Sequence, residues 1–257
     1  MLAAMKDLAG LDQAAQEVLA FAPSDPAAHL SVIDTFLSLE AENEAEPYME
    51  KALAAFPKDL NVLDRRRALL ARRKRFLEVI ALSESQLAIK ADHLPALRDL
   101  AQSHFGLGNV AEAIKGFERG LKMFPDDPVM LESLRECYKR AARDKDVVDA
   151  SERLLRVRPN DKAALFDKAV AVDRMGRKDE AISLYGQVLA LDHNDVDASM
   201  GVSVALFSLE KYDEALARAA QGALHDPDKL VFWRIQADSL FMLKRFEEAV
   251  KAYDRAI

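Results

Sequence analysis

The feature that most constrains this chain is a register shared by its prolines. Pro23, Pro57, Pro125, Pro159 and Pro227 stand at intervals of 34, 68, 34 and 68 along the sequence, so five of the nine prolines fall on one phase of 34. Ala91 and His193 fill the two gaps. Two positions later the register reads Asp25, Asp59, His93, Asp127, Asp161, Asp195 and Lys229. Both columns have one physical cause. Aspartate is a strong helix N-cap because its carboxylate accepts from the orphan amides of the first turn, and a proline shortly before it disfavours continuation of the preceding helix. Each phase therefore marks a stop and a start. At Asp25-Pro26 and Asp127-Pro128 the residue after the cap is proline, whose preset φ suits the first helical position.

A single helix per period would bury only a stripe, so each period needs a second corner. Gly108, Gly176, Glu210 and Lys244 share a column, each followed by a polar stretch and then an alanine. That column predicts the turn between a first helix, A, and a second, B. The alanine column runs Ala45, Ala113, Ala181, Ala215 and Ala249, with Val79 and Val147 in two repeats; one heptad on, Ala52, Gly120, Gly222 and Ala256 are again small. Small residues a heptad apart let helix axes approach closely. Six full periods occupy 26–59, 60–93, 94–127, 128–161, 162–195 and 196–229, between partial ones at 1–25 and 230–257, with no insertion. The prediction is a single array of helix pairs over 1–257.

Composition agrees. With 9 Gly and 9 Pro in 257 residues there is little punctuation for a strand-rich fold, and 50% apolar with 31% charged residues excludes disorder as the main state. The net charge of −7 argues against whole-chain attraction to nucleic acid or anionic lipid. A lone Cys137 excludes an internal disulfide and fits a reducing compartment. No apolar run approaches the roughly 18 residues of a membrane span, and Asp7 stands where a signal peptide would still be apolar. The expected location is cytoplasmic.

These residues resemble the tetratricopeptide repeat family over the whole chain. GNVAEAIKGFERGLKMFPDDP (108–128), GRKDEAISLYGQVLALDHND (176–195) and KYDEALARAAQGALHDPD (211–228) carry the likeness most fully, together with Trp233 in the family's helix A tryptophan column and FEEAVKAYDRAI after it. The small helix A residues Ala101, Ala169, Ser203 and Ala237 fit as well. The resemblance implies an all-α fold, a right-handed α-α superhelix (a solenoid of antiparallel helix pairs). Helix A would line the concave face and helix B the convex one, with peptides or partner helices held inside and no reaction performed by the fold. The departures are Ile33, Arg67 and Arg135 in the small helix A column, and Gln86 and Leu154 in the second small column of helix B. Less regular packing is expected there.

Residues at i, i+4 and i+7 of helix A share one stripe. Leu30, Asp34, Leu37; Asp64, Ala68, Ala71; Arg98, Gln102, Phe105; and Glu132, Glu136, Lys139 are mixed and mostly polar. The next three stripes are Phe166, Val170, Asp173; Met200, Val204, Phe207; and Arg234, Asp238, Phe241. Phe166, Val170, Met200, Val204, Phe207 and Phe241 form the candidate site, a hydrophobic docking patch for an apolar segment or amphipathic helix, rimmed by Asp173, Arg234 and Asp238. The competing reading is that these side chains pack against adjacent helices inside the array. Charging Phe207 separates the two, by loss of binding in one case and of the fold in the other. Some family members hold a partner's C-terminal carboxylate with Lys and Asn residues on successive A helices; here Arg98 and Arg65 have no Asn alongside, so no such clamp is expected.

The run RRRALLARRKR (65–75) is the one strongly basic stretch. It suggests nucleic acid or an acidic partner, but Glu40, Glu42, Glu44, Glu46 and Glu50 in the preceding repeat offer ion pairs instead, and no interleaved aromatics support base stacking. His29, His93, His104, His193 and His225 lie far apart without metal-ligand spacing. Cys137 reads as a buried structural thiol, and no glycine loop cradles phosphate. No cofactor, metal, nucleic-acid or membrane partner is expected. Residues 1–25 supply one helix B equivalent whose Leu8, Leu11, Ala15, Val18 and Leu19 cover the first full repeat. The sequence stops inside helix B at Ala256-Ile257, which suggests a piece of a longer protein or an end covered by another subunit in a homo-oligomer. Two functions remain: a non-catalytic adaptor binding protein segments in its groove, and the repeat arm of a larger enzyme or regulator.

Overall fold

The structure, a computed structural model, describes residues 8–256; the readings of the extreme N-terminus and of Ile257 lie outside the described residues. Among these the elements are helices throughout: α1 (Leu8–Phe21), α2 (Pro26–Ser38), α3 (Glu42–Ala55), α4 (Leu60–Arg72), α5 (Phe76–Ile89), α6 (Leu94–Gly106), α7 (Val110–Met123), α8 (Pro128–Arg140), α9 (Asp144–Val157), α10 (Lys162–Arg174), α11 (Lys178–Leu191), α12 (Val196–Ser208), α13 (Tyr212–His225), α14 (Leu230–Met242) and α15 (Phe246–Tyr253). Even-numbered helices are the A members of the pairs and odd-numbered ones the B members. From α2 onward, starts in both series recur on the interval set by the prolines.

Both corners follow from local chemistry. Asp25 accepts from the amide of Ala27, Asp59 from Asn61 and Val62, Asp127 from Met130, Asp161 from Ala164 and Asp195 from Ala198, at 2.8–3.1 Å. Each such cap contributes about 1 kcal/mol. His93 and Lys229, which interrupt the column, make no side-chain cap. At the other corner Glu40, Lys74, Gly108, Ala142, Gly176, Glu210 and Lys244 are all left-handed, with φ between 53° and 81°. The next residue's amide then reaches back over the final turn, as from Ala41 to the Phe36 carbonyl (3.0 Å) and from Arg245 to that of Leu240 (2.8 Å), which closes the helix end. Five of those seven positions carry a side chain, at a cost of about 1 kcal/mol each, so the hairpin geometry overrides local preference there.

The chain divides into two compact units, Met1–Met123 and Phe124–Ile257. In the first, Ala45, Val79 and Ala113 are fully buried under neighbouring helices, and Phe36 stacks on Tyr48 with ring centroids 5.2 Å apart. From α1, Ala15 is buried and Leu8, Leu11 and Leu19 pack on the same cluster. Val18 does not: it is 46% exposed, because it lies on the outer side of α1. Tyr48 donates to Asp12 at 2.6 Å, and burial together with that carboxylate pushes its hydroxyl up to about 12.

In the second unit Val147, Ala181, Ala215 and Ala249 fill the same buried column. Helix axes approach closely at the glycines: a Cβ on Gly222 would meet the Phe232 ring at 2.3 Å, and one on Gly201 the Tyr185 ring at 2.5 Å. The positions that depart from the small columns are filled in both units. Ile33, Gln86 and Leu154 are fully buried and Arg67 and Arg135 nearly so.

Candidate functional site

α10, α12 and α14 lie side by side in the second unit. Each turns one face into the core, Leu165, Ala169 and Val172 on α10, Val202 and Leu206 on α12, Phe232, Ile235 and Leu240 on α14. The opposite stripe is the candidate wall. On it Val204 and Phe241 are exposed, at 38% and 53%, while Phe166, Val170, Met200 and Phe207 are half-buried. The half-burial has a source outside helix A. Phe166 meets Tyr185 edge-on at 5.8 Å and Phe207 meets Tyr212 at 5.4 Å, both from the B helix of the same pair; Phe241 meets Phe246 at 5.5 Å. The aromatics of the stripe are therefore shared between packing and surface. Tyr185, Tyr212 and Phe246 escape a stripe drawn along helix A alone; aromatics at the start and middle of helix B are the signal that finds them.

The rim is less open than its residue types suggest. Asp173 accepts from Lys178 Nζ at 2.8 Å, and Asp238 accepts from the Tyr253 hydroxyl at 2.6 Å. The Asp238 carboxylate, then burial, push the Tyr253 hydroxyl above its ordinary value. Arg234 is exposed.

Most of the basic run of the first unit is ion-paired where it lies. Arg65 pairs with Asp34 at 2.7 Å, Arg66 with Glu46 and with Glu50, Arg72 with Glu42, and Arg73 with Glu42 and Glu46 at 3.1 and 3.0 Å. Burial raises the Glu46 carboxyl, but hydrogen bonds and charge from Arg66 and Arg73 outweigh it and hold the group below the carboxylate range. Arg67 turns inward to Asp99 at 2.7 Å and to Asp64 and Gln86. Ion pairs with adjacent repeats take up Arg65, Arg66, Arg67, Arg72 and Arg73, and Arg75 pairs with Glu78 within its own repeat.

Burial pushes the Cys137 thiol up to about 11, which suits a structural thiol rather than a nucleophile. His29 is bonded to the Pro23 carbonyl at 3.1 Å and His93 to Asp64 at 2.8 Å. Among the described residues there is no metal-ligating cluster and no helix long and apolar enough to cross a membrane.

Two family profiles described as tetratricopeptide repeat match residues 135–196 and 174–238. A wheat (Triticum aestivum) protein, "Hsp70-Hsp90 organizing protein", is 29% identical over 99 residues, which is 38% of this chain. The chain spans 17% of that relative's length. Among solved structures, YrrB, described as a TPR protein with an unusual peptide-binding site, is 19% identical with a TM-score of 0.65, over 72% of this chain and 95% of the other. MamA gives 18%, 0.61, 63% and 89%. A chain of the Naa15/Naa10 complex bound to HypK-THB gives 18% and 0.65, over 89% of this chain and 36% of that one. With five aspartate caps, a left-handed corner in each repeated hairpin and the profile matches in its second half, residues 135–238 belong to the tetratricopeptide repeat family, and the same hairpin recurs through the rest of the described residues.

Proposed function

We propose that the chain is a non-catalytic protein–protein interaction scaffold, working as one array over 1–257, whose second unit holds an apolar segment or amphipathic helix of a partner. The contact surface is the wall of Phe166, Val170, Met200, Val204, Phe207 and Phe241, flanked by Arg234 and Asp238. The observation that carries this reading is the exposure of Val204 and Phe241 on a helix face directed away from the core; contiguous exposed apolar side chains mark interaction sites. The peptide-binding description of YrrB and the assembly in which the Naa15/Naa10 chain was solved support it. Paired arginines and a net charge of −7 support a protein rather than a nucleic acid or lipid partner, and a cytoplasmic setting without cofactor or metal completes the reading. Exposed Phe246 and Val250 on α15 offer a surface to a second copy.

The test is chemical cross-linking followed by purification from the native cell, comparing wild type with Val204→Glu/Phe241→Glu. The double variant should lose the partner while its thermal unfolding stays within about 2 °C of wild type, since exposed substitutions shift stability by under about 0.5 kcal/mol. Retention of the partner would sink the proposal. Phe207→Glu is the harsher probe, because Phe207 is half-buried where Phe241 is exposed, although each packs on one aromatic of helix B. A second reading, the repeat arm of a larger enzyme or regulator, is favoured by the matches covering 17% and 36% of longer polypeptides; the length of the native polypeptide on a denaturing gel decides it.

A further inference from the structure

Arg234 stands apart from every other charge on the wall. On α10, α12 and α14 all the remaining charged side chains have a hydrogen bond or an ion pair: Asp173 with Lys178, Arg174 with Asp144, Asp197 with Lys229, Asp238 with Tyr253, and the others at 2.8–3.0 Å. Arg234 has neither among the described residues. Its nearest anion by helix spacing, Asp238 one turn on, is held by the Tyr253 hydroxyl at 2.6 Å. The repeat register sets Arg234 beside Met200 and in one stripe with the exposed Phe241.

An unpaired arginine in water needs no explanation, but this one is embedded in the surface that a partner must cover. Any apolar segment seated over Met200, Val204 and Phe241 strips water from the guanidinium, and a cation desolvated without a counter-charge is strongly unfavourable. Arginine keeps its proton under all ordinary conditions, so neutralisation by proton loss is not open to it. The partner has to bring the anion. We propose that the segment docking on this wall presents a glutamate or aspartate side chain to Arg234 from within its apolar face. The proposal rests on the reading of the wall as the docking surface and adds the one charge that selects among apolar partners.

The experiment uses three fluorescein-labelled, N-acetylated and C-amidated amphipathic helical peptides that share a leucine- and phenylalanine-rich face and differ in one central residue of it, Glu, Gln or Lys. Capped termini remove free carboxylates. Binding to the full chain is read by fluorescence anisotropy for wild type, Arg234→Glu and Val204→Glu. With wild type the Glu peptide should bind about tenfold more tightly than the Gln peptide, the strength of a charge-assisted hydrogen bond, and the Lys peptide weakest. Arg234→Glu should reverse the order, and Val204→Glu should weaken even the Gln peptide, whose central residue carries no charge for the new carboxylate to repel. Equal binding of the three peptides to wild type, still weakened by Val204→Glu, overturns the role of Arg234 and leaves the wall reading standing. No binding by any peptide, or binding indifferent to Val204→Glu, overturns both.

Discussion

Arg67 of α4 and Arg135 of α8 stand two repeats apart at the same point of the register, yet only the Arg135 guanidinium carries buried nitrogens without a hydrogen bond. Both occupy the column that is otherwise small, both are buried, and each pairs with an aspartate of the next A helix, Arg67 with Asp99 at 2.7 Å and Arg135 with Asp167 at 2.9 Å. In the first unit Gln86 and Asp64 also accept from Arg67, and Gln86 and His93 in turn bond Asp64 at 2.7 and 2.8 Å. In the second unit the equivalents are Leu154, which is apolar, and Glu132, which is drawn to Arg158. Arg135 Nε and Nη1 are both left buried with no aligned hydrogen bond among the described residues, Nε lying within ion-pair distance of Asp167, which Lys139 shares at 2.9 Å. A cation in the small column thus has two separate requirements: a counter-charge from the next A helix, and acceptors from its own B helix and corner. The first unit meets both and the second only the first.

That difference predicts unequal costs. Arg67→Ala leaves Asp64, Asp99 and Gln86 without their shared donor and should destabilise by about 3–5 kcal/mol, as removal of one partner from a buried pair does. Arg135→Ala also deletes an orphaned donor and should cost about 1–2 kcal/mol. Native-state hydrogen exchange of α4–α5 and α8–α9 amides reads each locally, and equal losses would erase the distinction. Next in size, Gln86→Leu turns the first arrangement into the second. It should cost about 1–3 kcal/mol by leaving Arg67 short of an acceptor, and a neutral result would show that the buried amide contributes only volume. Third, Leu154→Gln offers Arg135 Nη1 the acceptor it lacks. A double-mutant cycle with Arg135→Ala should give a favourable coupling of about 1 kcal/mol; zero coupling would mean the new amide cannot reach.

The corners are legible in the sequence because they are short-range. An aspartate caps amides two or three positions away, and seven left-handed positions recur on one register whatever side chain they carry. The buried arginines are not, because their partners lie in the next repeat, so Arg67 and Arg135 look like flaws in a small column. One signal is present: Arg67 with Asp99 and Arg135 with Asp167 repeat one spacing two periods apart. The stripe of the candidate wall is legible from helix A periodicity, but its depth is not. Tyr185 and Tyr212 project from helix B against Phe166 and Phe207, and Tyr253 from α15 takes the Asp238 carboxylate assigned to the rim.

The smallest effect expected is one of pH, and it separates the units without altering either arginine. Asp64 is where the first arrangement is held together. Burial alone would raise its carboxyl, but hydrogen bonds from His93, Arg67 and Gln86 outweigh that and hold it below its ordinary 3.8. A carboxyl whose folded value lies below its unfolded one stabilises the fold above the unfolded value and loses that contribution as pH falls through the folded one. The contribution of Asp64 is therefore complete above about pH 4 and disappears at more acid pH. Many carboxylates protonate over that range, so the difference between wild type and Asp64→Asn is the quantity to follow. Wild type should protect the α4–α5 amides better at pH 6, and the two proteins should converge as pH drops below 3.8. The α8–α9 amides, which contain no equivalent hub, should respond identically in both proteins throughout. A gap at α4–α5 that stays constant into acid would mean that the side chain acts there through shape rather than charge.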